Sequence, residues 1–465
     1  MNNTLDLTKG KPTGLILRFF FPLLLTNTLQ QLYSFADTAI VGKGLGDDSL
    51  AAVGNMSSLC FLIIGFSMGL SNGFSILIAQ SFGEKDMNKL RRSLAASLRL
   101  SVIMTALLTF LSVMFLRNIL TLLRTDPTII NESLEYGYIL FGGLFATVGY
   151  NMSAGILRAL GDSKTPLKAI VISSVMNIAL NSLFIFVFHW GVRGAAAATI
   201  IAQLFSGGFC LYKISRIEYL RLSKEDFSND NETNMILLKN GIPMAFMNSI
   251  TAIGCMVVQY FVNGLGVAFT SAYSACSRYL NMAMQPAATA GAAMSSYTSQ
   301  NYGARRFDRI REGLKVSLSI ALVSYLILGS AMTFFPRMLA GFILNGEEQI
   351  SYAAQFLPIC GIMLFSVDML FVIRNGVQGM GFPFIPMLSG IAEMVLRIGA
   401  IVLLTGSMGF RATAAAEVFA WVGALLINTA AFITIFAREK AKNSAKYSKG
   451  HKIKNVFDNS TAKAN

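Results

Sequence analysis

Residues 79–94 read AQSFGEKDMNKLRRSL, and residues 299–314 read SQNYGARRFDRIREGL. A shift of 220 residues lays one stretch over the other and sets identical residues together, Gln80 over Gln300 and Gly83 over Gly303. Two further blocks repeat at the same shift: GLG (44–46) over GLG (264–266), and LRALGDSKTP (157–166) over VQGMGFPFIP (377–386). A fourth block, GVRGAAAA (191–198), lies over GFRATAAA (409–416) at a shift of 218. Blocks that recur in one register indicate an internal repeat. The chain is therefore predicted to consist of two halves with one plan.

The composition indicates a membrane protein. Of the 465 residues, 54% are hydrophobic and 13% are charged, whereas soluble domains carry about 25% charged residues. Apolar segments of about 20 residues, the length that crosses a bilayer as a helix, recur along the chain. We predict twelve transmembrane helices, near residues 15–41, 50–79, 93–116, 134–157, 166–188, 194–214, 237–263, 269–299, 314–335, 351–373, 383–405 and 412–437.

Each half holds six of these helices. Because six is an even number, both halves enter the membrane from the same side and are parallel repeats. The predicted parts are an N-terminal six-helix lobe (1–216), a cytoplasmic linker (217–236), a C-terminal six-helix lobe (237–437) and a basic cytoplasmic tail (438–465). Paired repeats of this kind are typical of transporters that work by alternating access.

The net charge of +14 is distributed unevenly between the loops. With the N-terminus inside, the outer loops hold Lys43, Arg117, Arg124, Arg193, Arg337 and Arg411, and the spans hold Arg99, Arg278 and Arg397. All other Lys and Arg fall in inner loops and tails, the positive-inside pattern. We expect a multi-pass protein of the cytoplasmic membrane with both termini in the cytoplasm. The basic tail is expected to contact water or lipid headgroups, not nucleic acid.

The residues of common catalytic sites are scarce. The five cysteines lie in apolar spans without a CxxC pair, and the chain has only two histidines. This pattern predicts no disulfide framework, no histidine-based metal site and no catalytic triad. Gly42–Gly46 lacks the strand–helix context of a nucleotide site, and no Walker motif is present. We expect neither a cofactor nor an enzymatic activity.

Several stretches together resemble the multidrug and toxic compound extrusion (MATE) family. They are PLLLTNTLQQLYSFADTAIVGKGLGDDSLAAVGN (22–55), GFSMGLSNGFSILIAQSFGEKD (65–86), ILRALGDSKTP (156–166), NIALNSLFIF (177–186) and WGVRGAAAAT (190–199). The resemblance covers essentially residues 15–437. It implies two six-helix lobes that form a V around a central cleft. It also implies export of organic cations and other amphipathic drugs, driven by inward H+ or Na+, by a protein that works as a monomer.

Asp37 lies within the first apolar span, where an ionised carboxylate costs about 2.5–3.5 kcal/mol at the bilayer centre. In one branch of the family, an acid at this point is the coupling residue and shares a pocket with an Asn-x-x-x-Asp pair and a Thr. The resemblance assigns Asn177 and Thr199 to that pocket. Position 181 is Asn where the family often has Asp, and position 182 is Ser where Pro is frequent.

Asn177 and Asn181 are four residues apart, so they share a helix face. Together with Asp37 and Thr199 they offer only oxygen ligands, which suit Na+, or hydrogen-bond partners for a protonated carboxyl. H+ is favoured over Na+ because the second acid is missing. An interfacial position for Asp37 is the structural alternative. Pro22 is a candidate hinge in the same helix or, alternatively, the site of a static kink.

Other polar residues in the spans are candidates for the lining of the substrate cleft: Gln30, Gln31, Tyr33, Asn151, Gln259, Arg278, Asn281, Gln285 and Asp368. Another branch of the family uses an acid at the position of Asp368, together with a Glu on the seventh helix. This chain has no acid in that helix, so Asp368 is expected to attract cationic substrate or to pair with Arg278. Each amide of the set has interhelical hydrogen bonding as its structural alternative.

Three further interpretations concern structure. Glu393 and Arg397, four residues apart, are predicted to form a helical ion pair, and Glu417 is placed at the membrane interface. Gly83 and Gly303 are predicted to be C-cap glycines. The sequence as a whole favours an antiporter of small amphipathic, often cationic compounds. A flippase of a lipid-linked precursor and a membrane-embedded enzyme remain as alternatives, since only Arg278 and Arg397 supply charge for a basic cavity.

Overall fold

The computed structural model describes residues 4–123, 125–228 and 230–461, with only the backbone described for 445–461. Arg124, predicted in an outer loop, and residues 462–465 of the predicted tail lie outside this part. The long helices are α1 (Pro12–Leu45), α2 (Asp47–Glu84), α3 (Met87–Leu122), α4 (Ile130–Gly142 and Leu144–Ala159), α5 (Lys164–Ser182, continued by a π-helical turn at Leu183–Val187), α6 (Gly191–Ser215), α7 (Asn231–Asn263), α8 (Val267–Gly303), α9 (Phe307–Phe334), α10 (Glu347–Gly379), α11 (Phe384–Met408) and α12 (Arg411–Thr461). The described part of the chain contains no strand.

Most of these helices have the length and composition of membrane spans. Ten described helices are long and apolar enough, and the two halves of α4, bent by 45°, make an eleventh. α8 falls short in apolar content although it spans 37 residues. It packs between α2 and α10, so much of its surface faces protein and not lipid. The prediction of an all-α polytopic protein built from two six-helix repeats is confirmed.

The helices form two lobes, α1–α6 and α7–α12, joined by residues 216–230 with two 3₁₀ turns (Glu218–Leu220 and Lys224–Phe227). α7 begins at Asn231 and therefore includes the last residues of the predicted linker. We call the end of the molecule that holds this linker, the start of α1 and the end of α2 the basic end.

α1 contacts both lobes. In its first half, Phe19 and Phe20 are buried in a cluster with Ala287 and Ala290 of the C-terminal lobe. In its second half, Val41 is buried among residues of the N-terminal lobe. One helix thus links the two lobes, so a change at either end of α1 can act on their relative position.

The lobes approach most closely near the basic end. A Cβ atom on Gly83 would lie 1.9 Å from the carbonyl oxygen of Gln300, and one on Gly303 would lie 2.1 Å from that of Gln80. The C-cap residues are Lys85 and Ala304 instead. The prediction that Gly83 and Gly303 are C-cap glycines is wrong, because both lie inside the last helical turn, where a side chain would prevent backbone contact between the lobes.

The residues before α1, which we call the N-terminal segment (4–11), close the basic end further. The backbone N–H of Leu7, whose side chain is buried, donates to Gln300 Oε1 over 2.9 Å. Arg309 Nη2 donates to the Leu7 carbonyl over 3.1 Å. On the other lobe, Gly161 has φ +81°, and a Cβ there would lie 2.1 Å from the carbonyl oxygen of Leu5. The segment therefore fills the seam between the lobes.

Toward the opposite end the lobes separate. Asn248 Nδ2 donates to the Gly65 carbonyl over 3.0 Å near the middle of α7 and α2. Among the described residues, the other side-chain hydrogen bonds between the lobes, such as Asn27 Nδ2 to Thr289 Oγ1 at 2.9 Å, lie nearer the basic end. Within the described residues, the two lobes thus form a V that is closed at the basic end.

Candidate functional site

Asp37 lies within a hydrogen-bonded chain in the N-terminal lobe. Asn181 Nδ2 donates to Asp37 Oδ1 and, over 3.2 Å, to Asn177 Oδ1. Asn177 Nδ2 donates to Thr199 Oγ1 over 3.4 Å. Both asparagines are buried, while Asp37 is half-buried. The structure thus brings together the four residues that the sequence proposed for a coupling pocket, and it turns Asp37 toward the interior of the lobe.

Local helix geometry explains this arrangement. Asn177 and Asn181 stand one turn apart on α5, so both amides face α1 and α6. The π-helical turn Leu183–Val187 directly follows, and insertions of this kind are frequent at functional sites. Gly44 allows α1 to approach this turn, because a Cβ there would lie 2.7 Å from Ile185 Cγ2.

A small polar cavity adjoins the Asp37 chain. Its volume is about 20 Å³, and Asn177 and Thr199 line it together with Gln30, Tyr33 and Gln203. A site of this size with several polar partners accommodates one water molecule. The buried Gln203 Oε1 and Asn181 Oδ1 have no hydrogen-bond partner. Gln203 on the cavity wall and Asn181 in the Asp37 chain therefore offer spare oxygen acceptors near a single carboxylate, a set able to receive a proton or a small cation.

A larger cavity lies between the lobes. It has a volume of about 400 Å³ and is lined by residues of α2, α4, α7, α8 and α10. Its lining contains pairs related by the 220-residue repeat, among them Met68 with Ala288, Ser75 with Ser295, Gly155 with Asn375, and Arg158 with Gln378. Residues at equivalent repeat positions face the same space, so this interlobe cavity lies on the pseudo-twofold axis.

Two arginines line the interlobe cavity, Arg158 of α4 and Arg374 of α10. The predicted spans end at residues 157 and 373, so the sequence-based prediction places both arginines in inner loops. That assignment is wrong, because α4 continues to Ala159 and α10 to Gly379. The premise that only Arg278 and Arg397 supply charge to a cavity is wrong for the same reason. The helices run past the apolar stretch, and sequence hydropathy alone stops short of them.

Four charges form a buried network in the C-terminal lobe. Arg374 Nη2 lies 2.6 Å from Glu393 Oε2, and Arg397 Nη2 lies 3.2 Å from Glu393 Oε1 and 3.0 Å from Glu417 Oε2. The pair of Glu393 and Arg397 is therefore present, within a larger set. Glu417, predicted at the membrane interface, is 7% exposed and pairs within this network; its depth in the membrane stays a prediction. Two arginines and two glutamates leave the network without net charge.

None of the nine cleft candidates lines the interlobe cavity. Gln30 and Tyr33 line the small cavity beside Asn177 instead. Asp368 is wholly buried and neither of its oxygens has a hydrogen-bond partner, so its expected exposure to the cleft and its pairing with Arg278 are both wrong in this structure. The sequence places a polar residue on a helix but does not fix the rotation of that helix toward a distant partner.

The other candidates have varied surroundings. Gln259 donates to Asn263 over 2.6 Å within its own helix, and Asn151 Nδ2 is buried without a partner. Exposed side chains are Gln31, Arg278 and Asn281, and Gln285 is partly buried.

Pro22 lies inside the unbroken helix α1. The Thr26 hydroxyl donates to the Pro22 carbonyl over 2.8 Å. The hinge role remains a prediction.

The family model described as MatE matches residues 22–183 and 243–403, one match in each lobe. A probable multidrug resistance protein of Bacillus subtilis, YoeA, is 29% identical over 73% of this chain and 75% of its own. A second from the same organism, YpnP, is 28% identical over 81% and 84%. A solved outward-facing multidrug resistance MATE transporter superimposes with a TM-score of 0.88 at 23% identity, covering 95% of this chain and 99% of that one.

Proposed function

The chain belongs to the multidrug and toxic compound extrusion (MATE) family, and from that premise we propose that it is a secondary active antiporter. It exports small amphipathic, often cationic compounds in exchange for H+ or Na+, and H+ is the coupling ion we favour. The multi-pass helical fold and the names of the two Bacillus relatives, both multidrug resistance proteins, support this proposal.

The observation that carries the proposal is the Asp37 chain. A single carboxylate, hydrogen-bonded to Asn181, stands beside the buried, unpartnered Asn181 Oδ1. One monovalent cation neutralises one carboxylate, and a proton needs fewer oxygen ligands than Na+ does. This supports H+ as the coupling ion.

Ion binding would act on the lobes through α1. Asp37 sits in the half of α1 that packs in the N-terminal lobe, while Phe19 and Phe20 hold the first half against the C-terminal lobe. Neutralising Asp37 changes its hydrogen bond to Asn181, and Pro22 lies in the first half of the same helix. A ligand shifts a conformational equilibrium only through its different affinities for the two states. We infer that ion and substrate favour opposite states, which yields alternating access.

The basic end, on this proposal, faces the cytoplasm of a cell whose cytoplasmic membrane holds the protein. The positive-inside rule supports that orientation, with both termini at the cytoplasmic side. The V closed at the basic end is then an outward-facing state. The protein is expected to work as a monomer surrounded by lipid.

Dye efflux from reconstituted vesicles tests the proposal. Ethidium transport is measured under an imposed H+ gradient and, separately, an imposed Na+ gradient for the wild type, Asp37→Asn and Asp48→Asn. Asp48 is an exposed acid at the same end of the bundle and serves as the matched control. We expect the H+ gradient to drive efflux in the wild type and in Asp48→Asn, and neither gradient to drive it in Asp37→Asn. Normal efflux by Asp37→Asn would refute the coupling role.

A further inference from the structure

The charged residues that line the interlobe cavity are not repeated between the two lobes. Arg158 in the N-terminal lobe has Gln378 as its repeat equivalent, and both side chains line the cavity. Arg374 of the C-terminal lobe has Ala154 as its equivalent. Among the residues that the structure describes, no aspartate or glutamate lines the cavity. The cavity on the axis is therefore lined by cationic side chains without carboxylates.

Arg158 accounts for the excess charge. Glu393, at 2.6 Å, neutralises Arg374 within the four-charge network. Among the described residues, Arg158 makes no ion pair and no hydrogen bond to a side chain or carbonyl. Arg158 is partly buried, and withdrawing a guanidinium from water is costly unless an anion pairs with it. Arg158 thus has donors for an anionic partner that this chain does not supply.

Arg374 adds a second donor to the same space. Its side chain is 7% exposed, and its Nε is buried without a hydrogen-bond partner. The amides of Asn72, Asn375 and Gln378 also line the cavity. These groups surround a volume of about 400 Å³, within the range of pockets for small molecules.

We propose that the interlobe cavity is a binding site for the carboxylate or phosphate group of an amphipathic anion or zwitterion, held by Arg158 with support from Arg374. Arginine binds such oxyanions in a bidentate manner. Met68, Met244 and Phe371 supply an apolar wall for the remainder of the ligand, and methionine adapts to varied shapes. This substrate class rests on the proposed export function and extends it beyond cations.

Two fluorescent probes that differ only in a phosphate group measure how much that group contributes to binding. Riboflavin and flavin mononucleotide share one ring system and differ by a phosphate, so the ratio of their dissociation constants measures recognition of the oxyanion. Binding is measured by fluorescence titration of the purified full-length protein. We expect the wild type to prefer flavin mononucleotide by about tenfold or more. Equal affinities for the two probes would overturn the proposal.

Arg158→Gln places the repeat-equivalent side chain at position 158 and is expected to abolish the preference. The double variant Arg158→Gln with Gln378→Arg moves the cation across the pseudo-twofold axis and is expected to restore it. Thermal unfolding and gel filtration identify variants that fail to fold. If folded Arg158→Gln keeps the preference, or if it loses the preference and the double variant does not regain it, the assignment to an axial anion site is wrong.

Two further experiments are needed. One identifies the molecule that carries the oxyanion, and the other distinguishes failure of the anion site from failure of the proposed antiport. Displacement of flavin mononucleotide by phosphatidic acid in mixed micelles, but not by phosphatidylcholine, would identify a lipid headgroup as the bound oxyanion. Its absence would leave a small amphiphile as the ligand. Ethidium efflux under an H+ gradient is measured on the same preparation. Efflux without a flavin preference refutes only the anion site, and a preference without efflux refutes only the proposed antiport.

Discussion

Gln80 and Gln300, which are 220 residues apart, make the same hydrogen bond across the seam between the lobes. Gln80 Nε2 donates to the Gly379 carbonyl over 3.1 Å, and Gln300 Nε2 donates to the Ala159 carbonyl over 2.7 Å. The two carbonyls are themselves 220 residues apart and end α10 and α4. The repeat thus reproduces not only a fold but an individual contact, and the closed basic end is built from two copies of it.

The symmetry ends at the N-terminal segment, since Gln300 Oε1 also accepts from the Leu7 N–H. Gln300→Ala would leave that donor and the Ala159 carbonyl unpaired, and each buried unpaired group costs about 1–3 kcal/mol. We therefore expect Gln300→Ala to open the basic end more than Gln80→Ala, its repeat-equivalent control.

The opening is measured by double electron–electron resonance. Spin labels are attached at Glu84→Cys and Ala304→Cys in a variant without other cysteines. A longer distance population is expected to grow in Gln300→Ala and to grow less in Gln80→Ala. Equal populations in the two variants would contradict the role assigned to the N-terminal segment.

The basic end should also open when a methyl group is added at the closest contact between the lobes. The cause here is a steric clash, whereas in Gln300→Ala it is the loss of hydrogen bonds. In Gly83→Ala the new Cβ would meet the Gln300 carbonyl oxygen at 1.9 Å, so backbone must move. Overpacking of this kind costs about 1–3 kcal/mol. We expect the same spin-label distance to lengthen. Gly54→Ala is the control in the same helix, because nothing lies within 4 Å of its added Cβ, and a shift of similar size there would refute the steric account.

Removal of Arg397 is expected to destabilise the protein strongly. The Arg397 side chain is 4% exposed and pairs with Glu393 and Glu417, so Arg397→Ala leaves Glu417 as an unpaired buried charge. Breaking a buried ion pair costs about 3–5 kcal/mol. The melting temperature in detergent is expected to fall by several degrees or more.

A surface ion pair supplies the control for this substitution. Arg337 and Glu347 lie 2.6 Å apart with side chains 64% and 78% exposed, and such pairs contribute about 0–1 kcal/mol. Arg337→Ala should therefore leave the melting temperature nearly unchanged. A comparable loss in both variants would show that charge removal in general, not the buried network, sets the effect.

The linker should loosen at acidic pH. The Ser223 N–H donates to Asp226 Oδ2 over 2.8 Å, and this hydrogen bond holds the pKa of Asp226 below its ordinary value of 3.8. A carboxylate with a lowered pKa in the folded state stabilises that state above its unfolded pKa. The stabilisation is then lost as the pH falls through the lowered value. Amide hydrogen exchange at Ser223, corrected for intrinsic rates, is expected to be slow at pH 5 and faster near pH 3.

Asp226→Asn is the matching variant for that measurement. Its side chain does not titrate, so protection of the Ser223 amide should be weaker at pH 5 and should change little between the two pH values. If the wild type and the variant show the same pH dependence, another group controls the linker.

The apolar stretches and the internal repeat were enough to predict the membrane-spanning helices and the two equivalent halves of this protein. Segments of about 20 apolar residues require membrane-spanning helices, and the alignment of Gln80 with Gln300 required two equivalent halves. The four residues around Asp37 could also be gathered in advance. Asn177 and Asn181 share a helix face by spacing alone, and the resemblance to a family supplied their partners on other helices.

What tertiary structure alone decided is the direction of each side chain and the place where each helix ends. Arg158 and Arg374 lie just past the apolar stretches, and only the paired lobes turn them into the wall of a cavity. Asp368 lies one turn from Phe371 on α10 yet is wholly buried, while Phe371 lines the interlobe cavity. Hydropathy is a property of neighbouring residues along the chain. Helix rotation is set by packing between residues more than 200 positions apart, and this is why Gly83 was assigned to a cap when its true neighbour is Gln300.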